Sequence, residues 1–218
     1  MNKNIRYIIL MLLIALQGGN IALAIKAAVG ISPWDALNQT ISEITNIKVG
    51  TVVMILNSIL VLMQYLLLKD RFSIKHLAQL AVSFLFGYMI NVFLYGVFTF
   101  EISSYWANLG LFLLGTCLSA ITLGIILNMN LVSFPVEGFC QVLSKEKSFD
   151  FVKVRLGLDL VSIVISLVVG FAFKLPLLVR EGTVIGAIIF SPLLGIAMRV
   201  TKPYMEKLKL VEEVSYEV

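Results

Sequence analysis

Charge is what this sequence has least of. Only 14% of its residues are Asp, Glu, Lys or Arg, against 59% hydrophobic, and the mean hydropathy is +0.97. Soluble domains carry about 25% charged residues, so a water-exposed globular surface is excluded. Histidine is almost missing, and His76 alone cannot build a metal site. It falls at a loop end, where a solvated ring is expected. The two cysteines, Cys117 and Cys140, are too few for a disulfide framework or a thiolate cage and read as buried free thiols. Also missing are a glycine-rich phosphate loop, a HExxH pair and a serine in a nucleophile elbow. No catalytic residue, no metal and no cofactor is therefore expected, and the chain does not read as an enzyme.

What the chain has in abundance is apolar sequence. Runs over 5–29, 49–68, 74–98, 107–127, 151–173 and 182–199 are each near the length that crosses a bilayer. A helix rises about 1.5 Å per residue, so about 20 apolar residues cover ~30 Å of hydrocarbon. The fold class is an all-α membrane protein with six transmembrane helices. The net charge of +4 then belongs to loops at a membrane face, not to a nucleic-acid partner.

One polar stretch interrupts the first half: Ser32-Pro33-Trp34-Asp35-Ala36-Leu37-Asn38-Gln39-Thr40-Ile41-Ser42. It recurs 102 residues on, where Pro33 matches Pro135, Asp35 matches Glu137, Gln39 matches Gln141 and Ser42 matches Ser144. Asn57 and Asp159 stand at the same offset. Ser32 is a good N-cap, Pro33 suits the first helical position, and Asp35 stands where a capping box places its acid. Trp34, Leu37, Ile41 and Ile44 form an apolar stripe, with Asp35, Asn38, Gln39 and Ser42 away from it. A helix over 32–45 is too short and too polar to span, so it is expected to be re-entrant or interfacial. The run Gln17-Gly18-Gly19-Asn20 in the first span reads as a packing notch or as a local break.

A basic start followed by an apolar run and Ala22-Leu23-Ala24 also fits a cleaved signal peptide. The repeat argues against it, because the second copy has an equivalent span before its proline. With the N-terminus inside and six alternating spans, only Lys26, Lys48, Lys174 and Arg180 of the 17 Lys and Arg residues fall outside. That asymmetry places both termini in the cytoplasm. Three spans per copy is an odd number, so the two copies are expected upside down relative to each other, as in many transporters. The expected divisions are 1–104 and 105–200, one three-span repeat each, and a cytoplasmic tail over 201–218.

The run Gly30-Ile31-Ser32-Pro33-Trp34-Asp35-Ala36-Leu37, with Gly50-Thr51, Asp159 and Glu181-Gly182-Thr183, resembles the YczE/YyaS/YitT family of bacterial integral membrane proteins. The resemblance covers nearly the whole chain but departs at Arg71-Phe72-Ser73, where the family pattern has a Gly-Thr turn. It implies a multi-pass protein of the bacterial inner membrane with no secure substrate.

The residues themselves offer two readings. In one, Asp35, Gln39, Asn57, Glu137, Gln141 and Asp159 line a substrate site for a small solute or ion, since acidic groups at membrane depth mark pathways. The chain is then a secondary transporter or permeation protein. In the other, Asp35 and Glu137 only cap their helices, Asp159 only pairs with Arg155 one turn away, and the chain is a membrane scaffold or regulatory partner. The bilayer is the one partner both readings require; a homo-oligomer fits either.

Overall fold

The computed structural model describes residues 3–211; the acidic end of the tail, with Glu212, Glu213 and Glu217, lies outside the described residues. Eight α-helices follow one another, with no strand among the described residues: α1 Lys3–Lys26, α2 Pro33–Thr45, α3 Val49–Leu68, α4 Ile74–Val92, α5 Tyr105–Met129, α6 Pro135–Lys147, α7 Phe151–Ala172 and α8 Glu181–Lys207. Six of them, all but α2 and α6, are long and apolar enough to cross a membrane.

The short helices form where their prolines predict. Each starts on proline and runs for 13 residues. Each ends on a left-handed residue, Asn46 at φ 56° and Ser148 at φ 54°. The starts of α1 and α5, and of α3 and α7, also stand 102 residues apart. The last helix departs from expectation, because α8 does not stop at Arg199 but continues to Lys207. Asn128 of α5 holds that extension by donating from Nδ2 to the Met198 carbonyl and the Thr201 hydroxyl. Pro203 lies within it, so that final turn forgoes one backbone hydrogen bond.

Packing divides the helices into two groups. In the larger core α1 lies against α4 and α5, and α5 against α8, with Ile14, Ile90, Ile126 and Met129 fully buried between them. The glycines of α1 are a packing notch, not a break: Gly18 faces the α4 backbone at Phe86 and Ile90, and Gly19 faces the Phe93 ring. The smaller core joins α2, α3, α6 and α7 through Trp34, Leu60, Val136, Phe139, Cys140 and Leu158. A crossing of α3 on α4 at Gly50 and Gly87 ties the two groups together, with no room there for a side chain on either glycine. By contrast, α7 rests on α2 and α6 and makes no comparable packing with α8.

The buried side of α2 differs from the apolar stripe in its sequence. Asn38, Thr40 and Ser42 are buried along with Ala36 and Leu37, while Ile41 and Ile44 are only half-buried. Thr40 shares a hydrogen bond of 2.9 Å with Ser166 of α7. Polar side chains of α2 are thus turned into the protein. A helix lying on a bilayer surface would turn them to water instead.

Candidate functional site around Arg155

The loop before α2 is fixed from both ends. Gly30, at φ 126°, lies against the first turn of α8, where a side chain would collide with Thr183. The Gly182 amide donates to the Val29 carbonyl at 2.8 Å, and the Ile31 amide donates to the Thr183 hydroxyl at 3.3 Å. Ser32 then caps α2 in both directions. Its hydroxyl accepts from the Asp35 amide at 3.3 Å and donates to Asp35 Oδ2 at 2.6 Å. Asp35 therefore does act within the cap.

Glu137, its counterpart on α6, does something else. The N-cap of α6 is Phe134, which offers no capping oxygen, and Glu137 turns to α7. Arg155 Nη1 donates to Glu137 Oε1 at 3.1 Å, and Arg155 Nε donates to Asp159 Oδ2 at 3.4 Å. The three side chains are each between a fifth and a third exposed. Arg155, Asp159 and Glu137 all act electrostatically on Asp35. Burial pushes the Asp35 carboxyl up to about 6; the Ser32 hydrogen bond pulls the other way. Two carboxylates thus hold one guanidinium, five to nine residues into α7, with Asp35 within its electrostatic reach at the first turn of the other short helix. Both helix starts carry free N–H groups and a positive dipole end, which offsets part of the negative excess.

Two of the six predicted residues, Glu137 and Asp159, meet here on Arg155, and a third, Asp35, lies within their electrostatic reach. Asn57 is 2% exposed, and its Oδ1 has no hydrogen-bond partner. Gln39 is half-buried on α2, with no bond to the cluster. Gln141 does not belong with it. It faces a different cavity of about 180 Å³, lined also by Gln64, His76, Gln79 and Ser133. Gln141 stands one turn along α6 from Glu137, on the stretch where Gly138 lies against Gln79.

Three residues were not among the predicted site residues. Arg155 links two helices, where the spacing showed only its intrahelical pair. Asn38 is fully buried, with Nδ2 on the Trp34 carbonyl and Oδ1 without a partner. Gln64 is fully buried beside Gln79, and the two amides bond each other in both directions at 2.9 and 3.2 Å. An amide inside an apolar run was the available signal for Gln64 and Gln79. His76, expected to be solvated, is half-buried: it accepts from the Ser73 amide at 3.1 Å and stacks on Phe72. Both cysteines are free, Cys140 buried and Cys117 half-buried. No group of three metal-ligating side chains occurs among the described residues.

Six membrane-length helices with two short polar ones folded among them define a multi-pass helical membrane protein. Residues 4–199 match the family of unknown function DUF6198, and the chain belongs to that family. No curated protein and no solved structure matches the chain.

Proposed function

We propose that this protein is a small-solute secondary transporter or permeation protein of the bacterial inner membrane, built from two inverted three-span repeats. The observation that carries this reading is the pairing of Glu137, from one short helix, with Arg155 and Asp159 of α7, within electrostatic reach of Asp35 on the other short helix. Charged groups inside a membrane protein are costly and concentrate on pathways. We also propose kinship with the YczE/YyaS/YitT proteins, on the motif residues given above.

Two further features support the inverted arrangement. Gly115, just before the middle of α5, lies against Asn20 and Ala24 late in α1, as expected of helices running in opposite senses. The halves also differ in packing: α3 and α4 touch through Gly50 and Gly87, whereas α7 and α8 stand apart. Alternating access requires such a difference, with each half taking the arrangement of the other in turn.

One observation favours the scaffold reading: the carboxylates of Glu137 and Asp159 are already satisfied by Arg155, as in a closed structural knot. Reconstituted protein separates the two. A transporter carries some member of a panel of small solutes into vesicles and loses that flux in Glu137→Gln while still melting cooperatively. Absence of flux across the panel, with a large loss of stability in Glu137→Gln, favours the scaffold. Orientation has its own test. A reporter fused after Val218 should face the cytoplasm and one inserted at Glu101 should not; the opposite result overturns the inverted topology.

A further inference from the structure

The two halves of the sequence share more than the short-helix motifs. Ser83-Phe84-Leu85-Phe86-Gly87 of α4 recurs in α8 as Ser191-Pro192-Leu193-Leu194-Gly195. Both copies are set alike against the larger core: Phe86 is buried in it and Leu194 packs on it. Ser191 and Gly195 therefore hold on α8 the edge that Ser83 and Gly87 hold on α4.

That edge is filled in one copy and empty in the other. On α4, Gly87 meets Gly50 of α3, and Ser83 is 0% exposed. On α8, Ser191 is exposed, and a side chain added at Gly195 would meet nothing within 4 Å among the described residues. The facing helices tell the same story. On α3, Gly50 meets Gly87 and Gln64 bonds Gln79, and Val53 and Asn57 between them are each 2% exposed. At the offset of 102 residues, the counterparts of Gly50, Val53, Asn57 and Gln64 on α7 are Val152, Arg155, Asp159 and Ser166. There the Arg155 and Asp159 side chains are 29% and 23% exposed. Other helix contacts come in matched pairs: α3 on α6 as α7 on α2, α2 on α3 as α6 on α7, α1 on α4 as α5 on α8. The packing of α4 on α3, and its lesser touch on α6, has no such match. Pro192 also stands where α4 has Phe84. It withholds an N–H from the Ile188 carbonyl, so α8 can bend there.

We propose that α7 and α8 form a gate, closing on each other at Val152 and Gly195 as α3 and α4 do at Gly50 and Gly87, and covering the Arg155–Asp159 pair. With Val152 in place of Gly50, this contact holds one glycine instead of two, so it is the looser of the pair and the readier to open. The proposal rests on the reading of the chain as a transporter of two inverted repeats and names the part that closes.

The test is a disulfide in the full-length protein, kept in its membrane under mild oxidation. Val152→Cys with Gly195→Cys should form one within the chain, since closure brings the two Cα atoms into the ~4.4–6.8 Å range the bond needs. Val152 is exposed and Gly195 has open space, so the pair should fold as the parent does. Peptide mapping tells this bond from any to Cys117 or Cys140. Val152→Cys with Ile196→Cys, about 100° around α8, should cross-link at least fivefold more slowly. Absence of the 152–195 bond, or equal rates with 195 and 196, overturns the gate, whether or not the vesicle panel shows flux. The bond formed in a protein that carries none of the panel keeps the closure and counts against the transporter reading alone.

Discussion

Gln17 of α1 donates to the hydroxyl of Ser119 of α5 at 2.6 Å, and the two residues stand 102 positions apart. That is the offset of the two short-helix motifs. One turn on, Asn20 and Thr122 repeat the relationship at 3.1 Å. Equivalent residues of the two halves therefore touch. Interhelical bonds of this kind in membranes contribute about 0.6 kcal/mol on average and up to about 1.7. Gln17→Leu and Ser119→Ala should each lower stability by about 1 kcal/mol. A double-mutant cycle followed by melting should give a coupling in that range; a coupling near zero would show that the bond holds nothing.

Gly50 and Gly87 make a contact with no equivalent in the second half. A methyl group on Gly50 would strike the Gly87 carbonyl and the Asn91 side chain, which receives the Gly50 amide at 2.8 Å. Overpacking of this kind costs about 1–3 kcal/mol. Gly50→Ala should lower the melting temperature clearly. Gly195→Ala should leave it within error, because nothing lies within 4 Å of that position.

Arg155 is the single cation of its cluster. Arg155→Leu leaves Glu137 and Asp159 facing each other without compensation, a loss of about 3–5 kcal/mol for a buried pair that loses one partner. The triple variant Arg155→Leu, Glu137→Gln, Asp159→Asn should recover most of that loss, since neither partner of Arg155 then carries an uncompensated charge. Failure of the triple variant to melt above the single one would contradict the pairing.

Asp35 gives the cluster a pH dependence. Its carboxyl is raised from 3.8 to about 6 in the folded protein, chiefly by burial. A raised folded value means the folded state holds the proton more tightly than the unfolded chain. The stability from this group is fully present below about 3.8 and is lost as pH rises to about 6. Asp35→Asn removes that slope. Its melting temperature relative to the parent should rise between pH 4 and pH 7 and then level off. A constant difference across that range would mean that Asp35 titrates normally.

The sequence made much of the fold legible because its signals were local. Proline after serine or phenylalanine started both short helices, and run length alone marked the six long ones. Arg155 with Asp159 was visible as a one-turn pair for the same reason. Glu137 with Arg155 was not, since the partners sit on different helices and only the packing of α6 on α7 joins them. The apolar stripe of α2 did not reveal which face turns inward. Hydropathy sorts side chains between water and core, but beside lipid an apolar residue is also at home outside. Gln39 and Gln141 looked like equivalent site residues from their offset alone, yet only the carboxylates of their motifs reach the cluster.

The inward side of α7 buries only Ser162, Ser166 and Gly170, while Leu160, Val164, Val168 and Phe171 are more than half exposed. Most of what surrounds it is not this chain, and in a bilayer acyl chains are there to fill that space. With 22 residues the helix is about 33 Å long, close to the hydrocarbon thickness of an ordinary bilayer. A thinner bilayer is met by tilting, and a row of small side chains offers little interlocking against such a tilt. Because Arg155 and Asp159 ride on this helix, bilayer thickness becomes a physical variable acting directly on the charge cluster.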